Sequence, residues 1–240
     1  MQTIAIGIFC KTPCPGYSKT RLSPPLRPDE CAALSACFIR DLTATIHQVC
    51  KPGDATGYAV YTPVGSEPAL RKLLPRGFRL HPQCDGDFGS RLMTATSQLL
   101  ETHDGVIMVN SDSPTLPVAV LRAAVDATRR GGAVVLSPAL DGGYTLIGVS
   151  DLHERLYQDI TWSTSVVHQQ TVERATEIGL PVVHVPGWYD VDDAASLALL
   201  TSELAGDPLP FARGLQGAEA PATRAHFAAR TEPLRAGLAQ

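Results

Sequence analysis

Residues 4–22, IAIGIFCKTPCPGYSKTRL, decide the fold of this chain. The first six of them are apolar or glycine, a pattern that predicts a buried strand. The strand leads directly into a loop that contains PCPG at positions 13–16. Each proline fixes one φ angle, and Gly16 lets the backbone turn without a Cβ clash, so we expect a loop of defined shape. In α/β folds, ligands bind at the carboxyl ends of strands, where this loop lies.

The same loop carries three cations, Lys11, Lys19 and Arg21. An ammonium group supplies a point charge and a guanidinium supplies a planar fork, and both are donors that bind polyphosphates. The sequence therefore predicts a phosphate-binding loop after the first strand. The alternative interpretation is a solvated surface turn, since lysine and arginine side chains are normally exposed.

Apolar patterns along the rest of the chain alternate between strands and helices. After Pro28, apolar residues recur every three or four positions between residues 34 and 49, which predicts a helix. The continuous apolar run at 106–109 is typical of a central parallel strand. Further strands are predicted at 58–61, 78–80, 133–136, 144–149 and 182–185, and further helices at 67–74, around 92–100, from 117, at 165–178 and at 193–204. This order predicts an α/β protein whose sheet is covered on both faces.

Length and composition predict a single domain. The 240 residues suffice for one sizeable core, and no Ser/Gly-rich linker interrupts the first 205 of them. We expect residues 1–205 to form the domain. Residues 206–240 are rich in Ala, Pro, Gly and Arg, and we expect a C-terminal extension that is draped over the domain or partly disordered.

Charge and hydropathy exclude two classes of partner. The net charge of −4 argues against a general attraction to nucleic acid or to anionic membranes, so any anion site must be local. No apolar stretch approaches the roughly 18 to 20 residues that span a bilayer, and the N-terminus lacks the basic region of a signal peptide. We therefore expect a soluble cytoplasmic protein.

A carboxylate, Asp112, follows the predicted central strand in the sequence NSDSP, residues 110–114. Pro114 keeps the loop from continuing directly into a helix. A divalent cation such as Mg²⁺ needs few carboxylates, because waters and phosphate oxygens complete its shell. Asp112 is thus a candidate metal ligand, and the alternative is a cap for the next turn or helix.

Three carboxylates crowd together before the last predicted helix, at Asp190, Asp192 and Asp193. Carboxylates at this density repel one another unless a cation lies among them. Asp193 is explained as the helix N-cap. Asp190 and Asp192 alternate with Val191 and can face the same side, so we expect at least one of them to bind metal or substrate.

Two glycine-containing loops are weaker candidates. Asp141-Gly142-Gly143 follows a predicted buried strand and leaves room for a sugar or base, although the same tripeptide is typical of a hairpin turn. The polar loop 83–91 enters a helix, whose free N–H groups could bind an anion or the edge of a nucleobase.

These segments resemble the ordered motifs of a bacterial family of nucleotide-diphospho-sugar transferase-like proteins, which includes rSAM/selenodomain-associated glycosyltransferases. The resemblance covers about residues 3–204 and lies in FCKTPCPGYSKTRL (9–22), GDFGSRL (86–92), NSDSPTL (110–116), PALDGGYTLIG (138–148), ITWST (160–164) and WYDVDD (188–193). The family is similar to GT-A-fold enzymes, including sugar-phosphate nucleotidyltransferases and the guanylyltransferases of molybdenum-cofactor and coenzyme F420 synthesis.

The resemblance implies a three-layer α/β/α sandwich with a mostly parallel central sheet, a bound nucleotide and a divalent cation, Mg²⁺ or Mn²⁺. It implies that Lys19 and Arg21 hold the phosphates, that Asp112 binds the metal, and that Asp190 supplies the second metal carboxylate, with Asp192 in reserve. The residues of the same motifs that we assign to nucleotide or substrate binding are Lys11, Gly16, Gly89, Arg91, Gly142, Gly143, Tyr144 and Trp162.

Two reactions fit these residues. In nucleotidyl transfer, a phosphate or phosphonate oxygen attacks the α-phosphorus of a nucleoside triphosphate. In glycosyl transfer, an acceptor attacks the anomeric carbon of the sugar, and a carboxylate such as Asp141 takes the acceptor's proton. The chain lacks the G-x-G-x-R loop of sugar nucleotidyltransferases and has S-D-S, not D-x-D, around Asp112, so the direction of transfer stays open.

The expected partners are a nucleotide or nucleotide-sugar and a small-molecule acceptor. Base, sugar, acceptor and oligomeric state are not determined by the sequence. The alternative functions are a non-catalytic nucleotide-binding sensor or interaction protein with the same fold, and an unrelated α/β protein.

Overall fold

The computed structural model describes residues 3–50, 53 and 55–229, and within these ranges seven strands form one sheet. The sheet has the order β3-β2-β1-β4-β6-β5-β7, and β6 runs antiparallel to both of its neighbours, whereas all other pairs are parallel. The strands are β1 (Ile4–Lys11), β2 (Ala55–Thr62), β3 (Arg79–Pro82), β4 (Gly105–Asn110), β5 (Val134–Pro138), β6 (Tyr144–Val149) and β7 (Val182–His184).

Helices cover both faces of the sheet, which confirms the predicted three-layer α/β/α sandwich. They are α1 (Pro28–Cys50), α2 (Glu67–Arg71), α3 (Phe88–Leu100), α4 (Val118–Arg130), α5 (Val167–Glu177), α6 (Ala194–Ala205) and α7 (Pro221–Ala228). Alternate residues of a strand point to opposite faces, so Ile107 packs with α1, α4 and α6 while Met108 packs with α3 and α5. The central strands β1 and β4 are therefore apolar or glycine until their last residues, Lys11 and Asn110.

Some elements differ from the sequence-based expectation, among them α2, the segment after Lys19, and α7, a helix that the sequence does not predict within the C-terminal extension. The helix expected to reach residue 74 ends at Arg71, and Pro75 disfavours helical geometry in the residue before it. The segment Thr20–Leu22, which the sequence indicates only as loop, forms a short 3₁₀ turn directly after Lys19. The other predicted strands and helices lie where the apolar pattern places them, with ends shifted by a few residues.

The described part of the C-terminal extension packs against α1. The buried carboxylate of Asp41 accepts hydrogen bonds from the backbone N–H groups of Ala222 and Thr223, at 2.9 and 2.7 Å, and so caps the first turn of α7. Residues 230–240, the end of the predicted extension, lie outside the described residues. Among the helices that the structure does describe, none has both the length and the apolar character that crossing a bilayer requires.

Candidate functional site

A cavity of about 510 Å³ opens at the carboxyl ends of β1 and β4. These strands are parallel neighbours, so the loops that follow them meet at one edge of the sheet. Because β6 is antiparallel, it begins at this same edge, and the turn between β5 and β6 joins the cavity wall. The loop that contains Trp162 and the segment before α6 complete the wall.

Lys19 lies at the centre of an ion-pair network in this cavity. Its buried Nζ is 2.6 Å from Asp112 Oδ1 and 2.9 Å from Asp192 Oδ1, and it donates a hydrogen bond to the carbonyl oxygen of Val191 at 2.7 Å. Burial lowers the pKa of Lys19, but the two carboxylates outweigh this effect and hold the pKa above its ordinary value. The ammonium group therefore stays charged at neutral pH.

The loop backbone directs Lys19 into the cavity. Lys19 has a φ of 51°, in the left-handed region that residues other than glycine seldom adopt. Gly16, with a φ of 78°, supplies the preceding turn, as its conformational freedom predicts. Ser18 fixes the turn, because its Oγ accepts a hydrogen bond from the N–H of Cys14 at 3.0 Å.

Arg21 lies at the rim of the cavity, and its side chain is 66% exposed. One guanidinium nitrogen, Nη2, donates to Asp192 Oδ2 at 2.9 Å, so Asp192 bridges Lys19 and Arg21. Burial alone would raise the pKa of Asp192, but Lys19 and Arg21 bring that pKa below its usual value. Asp192 is thus an ionised, fully paired carboxylate.

Asp190 is a half-buried carboxylate of the cavity that forms no ion pair with the described residues. Burial raises its pKa to about 7, and the negative charges of Asp141, Asp192 and Asp112 add to the shift. Negative charge at this end of the cavity is therefore incompletely balanced by protein cations.

The segment that carries Asp190 and Asp192 is anchored by the two buried aromatic residues that precede it. Trp188 and Tyr189 are completely or almost completely buried, and Trp188 Nε1 donates to Thr115 Oγ1 at 3.1 Å. The alternation of buried and half-buried residues from 189 to 192 turns both carboxylates toward the cavity, as the sequence predicts. Asp193 is the N-cap of α6, accepting a hydrogen bond from the Ser196 N–H at 2.8 Å, which confirms its expected role.

The carboxylates suit a cation only in part. Asp112 does not cap α4, whose N-cap is Pro117, and its side chain lies in the cavity with Asp190 and Asp192. Within the described ranges, no group of three or more His, Cys, Asp or Glu side chains has the arrangement of a complete metal site. The donors are oxygens, which Mg²⁺ and Mn²⁺ prefer, and phosphate oxygens can complete such a shell.

The opposite wall of the cavity is aromatic. The Arg91 guanidinium lies 6.0 Å from the Phe9 ring centre and 5.9 Å from that of Phe88, and it donates to Gln83 Oε1 at 2.9 Å. Phe88 in turn packs against Trp162, with ring centres 4.9 Å apart. The sequence assigned no individual role to Phe9, Phe88 or Gln83, although the two phenylalanines belong to quoted motifs and Gln83 begins the candidate loop 83–91.

Three of the glycines assigned to the site do not line the cavity, and the structure gives each a conformational or packing role. Gly16 forms the loop turn, Gly142 lies against the backbone of Ser165, and a Cβ on Gly89 would lie 2.7 Å from Trp162 Nε1. The assigned residues that do line the cavity are Lys11, Lys19, Arg21, Arg91, Asp112, Asp141, Gly143, Tyr144, Trp162, Asp190 and Asp192.

The tripeptide Asp141-Gly142-Gly143 forms the turn between β5 and β6, and it also faces the cavity through Asp141 and Gly143. Asp141 Oδ1 accepts a hydrogen bond from the Gly143 N–H at 2.8 Å, which fixes the carboxylate at the rim. The hairpin interpretation and the cavity interpretation of this tripeptide therefore describe the same structure.

The model of one protein family matches half of the chain. The model of the family described as "Uncharacterized protein conserved in bacteria (DUF2064)" matches residues 45–164. The chain belongs to the DUF2064 family. This match spans β2 to β6, including Arg91, Asp112 and Asp141 of the cavity wall. No protein of curated function matches the chain in sequence.

Solved structures share the fold of this DUF2064 chain. A protein of Desulfovibrio desulfuricans G20, described as a proposed nucleotide-diphospho-sugar transferase, is 26% identical, with a TM-score of 0.79 over 95% of each chain. The CMP:2-keto-3-deoxy-manno-octonic acid synthetase, solved with CTP, is 13% identical, with a TM-score of 0.55 over 85% of this chain and 99% of its own. A cytidylyltransferase of Leptospira borgpetersenii is 10% identical, with a TM-score of 0.50 over 87% and 89% of the two chains. The chain thus has the nucleotide-diphospho-sugar transferase and cytidylyltransferase fold.

Proposed function

We propose that this chain is a metal-dependent transferase whose donor substrate is a nucleoside triphosphate or a nucleotide-diphospho-sugar. The observation that supports the proposal most directly is the cavity at the strand ends, which contains the cationic loop and the incompletely balanced carboxylates together. Its volume of about 510 Å³ lies in the range of small-molecule sites. The shared fold with a proposed nucleotide-diphospho-sugar transferase is consistent with this class of donor.

The donor phosphates would bind to the loop after β1. Arg21 is exposed at the rim and uses one of its nitrogens for Asp192, so its other donors can reach a phosphate. Lys11 also lines the cavity. A polyphosphate bound here would run toward Asp112 and Asp190.

Asp112 and Asp190 would contribute oxygens to a Mg²⁺ or Mn²⁺ ion, with Asp192 as the further candidate. When bound, such an ion balances the phosphate charge and acts as a Lewis acid. The raised pKa of Asp190 supports this role, because a carboxylate among other carboxylates is stabilised by a neighbouring cation.

The acceptor would enter from the turn between β5 and β6. The Gly143 N–H holds the Asp141 carboxylate at the cavity rim, where it can take a proton from an acceptor hydroxyl group. In glycosyl transfer, the acceptor oxygen then bonds to the anomeric carbon and the nucleoside diphosphate leaves. In nucleotidyl transfer, an acceptor phosphate oxygen bonds to the α-phosphorus and pyrophosphate leaves, with Arg21 stabilising the charge of the leaving group.

Arg21→Ala is expected to weaken nucleotide binding about tenfold. A charge-assisted hydrogen bond contributes roughly 1.5 to 3 kcal/mol, and we take the lower end because Arg21 is largely exposed. Calorimetric titration with the four nucleoside triphosphates and a panel of nucleotide-sugars, with and without Mg²⁺ or Mn²⁺, measures the effect. Arg76→Ala is the matched control, since Arg76 is exposed and precedes β3 at the other edge of the sheet.

Two outcomes count against the proposal. Equal affinities of wild type and Arg21→Ala would remove the β1 loop from the phosphate site. Nucleotide affinity that is independent of divalent cations, together with no turnover of any donor, would favour the non-catalytic nucleotide-binding alternative.

A further inference from the structure

The ammonium group of Lys19 has no donor left for a substrate. A lysine Nζ carries three N–H donors, and three oxygens surround that of Lys19: Asp112 Oδ1 at 2.6 Å, Val191 O at 2.7 Å and Asp192 Oδ1 at 2.9 Å. The side chain is only 6% exposed, so water does not compete strongly for these bonds. Lys19 therefore cannot bind a phosphate and keep all three oxygens.

The same three oxygens have the character of a cation site. Two are carboxylate oxygens and one is a backbone carbonyl oxygen, the ligand types that hard divalent cations take from proteins. They come from two separate loops, yet they converge on one buried point with a positive charge at its centre. The loops are fixed relative to each other, because the Val191 N–H donates to the Asp112 carbonyl oxygen at 2.9 Å.

We propose that Lys19 competes with the divalent cation for these oxygens, an inference that rests on the proposed metal-dependent function. The metal would bind weakly alone, because it has to displace a paired ammonium group. A polyphosphate offers Lys19 new acceptors, so it draws the side chain away and admits the cation to Asp112 and to Asp192, the further candidate ligand, with Asp190 in the same cavity. Metal and nucleotide would then bind with positive coupling, each raising the affinity of the other.

The proposal assigns Lys19 two successive partners within one cavity. Its long, flexible side chain permits this exchange, since the Nζ moves by rotation about χ angles without a change in the loop backbone. In the arrangement seen in the structure, the Lys19 Nζ also lies 5.6 Å from the centre of the Phe38 ring. Arg21 would stay at the rim in both arrangements.

The test is the affinity for Mn²⁺ alone, measured by calorimetry or by the paramagnetic resonance of free Mn²⁺. Lys19→Met keeps an unbranched side chain that is one heavy atom shorter and removes its charge, and we expect it to bind Mn²⁺ at least tenfold more tightly than wild type. Lys72→Met is the matched control, because Lys72 is exposed beyond α2 and its loss changes the net charge equally. The double variant Lys19→Met/Asp192→Asn is expected to lose the gain.

Folding of Lys19→Met is followed in parallel, since the variant leaves two carboxylates without their shared cation. We expect a lower melting temperature that Mn²⁺ raises more in the variant than in wild type. If the variant is unfolded without metal, recovery of its circular dichroism spectrum in Mn²⁺, but not in K⁺ of equal ionic strength, supports the same conclusion. Failure of Mn²⁺ to restore it overturns the inference.

Equal Mn²⁺ affinities of wild type and Lys19→Met would contradict the proposed competition between Lys19 and the cation. They would not contradict the proposed metal-dependent transferase function. The proposed function itself fails if, in wild type, nucleotide affinity is unaffected by Mg²⁺ and Mn²⁺ and no donor is turned over. The two results come from separate titrations and are therefore distinguishable.

Discussion

Replacing Gly142 with alanine is expected to lower the free energy of unfolding by about 3 kcal/mol or more. Gly142 has a φ of +91°, and a Cβ built on it would lie 2.0 Å from the carbonyl oxygen of Ser165. The positive φ alone costs an alanine roughly 1 to 2 kcal/mol. The clash adds to this cost, because a backbone oxygen, unlike the end of a flexible side chain, cannot rotate away.

Gly143→Ala is the matched control for this prediction. Gly143 has no positive φ, and its Cβ would meet Asp141 Oδ1 at 3.1 Å, a contact that a small side-chain rotation relieves. We expect this variant to lose less than about 1 kcal/mol. Urea denaturation of both variants measures the difference. Equal losses in the free energy of unfolding would contradict this prediction, because only Gly142 has a positive φ and a close backbone contact.

Asp190→Asn is expected to raise the free energy of unfolding at pH 8 by about 1 to 3 kcal/mol. The pKa of Asp190 is about 7 in the folded chain, against about 3.9 for an unfolded chain. Between these values the native state binds a proton that the unfolded state lacks, so the wild type loses stability as pH rises from about 4 to 7. Asparagine removes this cost. A shift of three units sets an upper limit of about 4 kcal/mol, which we reduce because Asp190 is partly exposed.

Urea denaturation of wild type and Asp190→Asn between pH 4 and pH 8 measures this effect. The two curves should nearly coincide at pH 4 and diverge until about pH 7, above which the difference stays constant. Asp126→Asn is the control, since Asp126 is exposed on α4 and away from the cavity. A stability difference that does not change with pH would contradict the electrostatic origin. A gain in stability of Asp190→Asn at pH 8 would equal the stability that the wild type gives up to keep this carboxylate at a ligand site.

The fold follows from local patterns in the sequence. The apolar run at 106–109 predicts a central strand because such strands are buried on both faces, and β4 is indeed buried throughout its apolar part. The N-cap at Asp193 and the glycine turn at Gly16 are equally local, since each depends on neighbours within four residues. The convergence of loops at one sheet edge follows from parallel pairing, so the sequence also predicts which side chains approach one another.

Only the tertiary structure distinguishes the residues of the site from one another. Asp190 and Asp192 occupy equivalent places in an alternating pattern, yet Asp192 is paired with Lys19, 173 residues away, while Asp190 forms no ion pair within the part of the chain that the structure describes. Gly142 and Gly143 are adjacent, yet only Gly142 lies against the backbone of Ser165. The sequence determined the strands, the helices and the candidate carboxylates of this protein, because these depend on side-chain periodicity. The pairing of charges was decided by contacts between distant loops, because Coulomb interactions depend on distance in space and on burial.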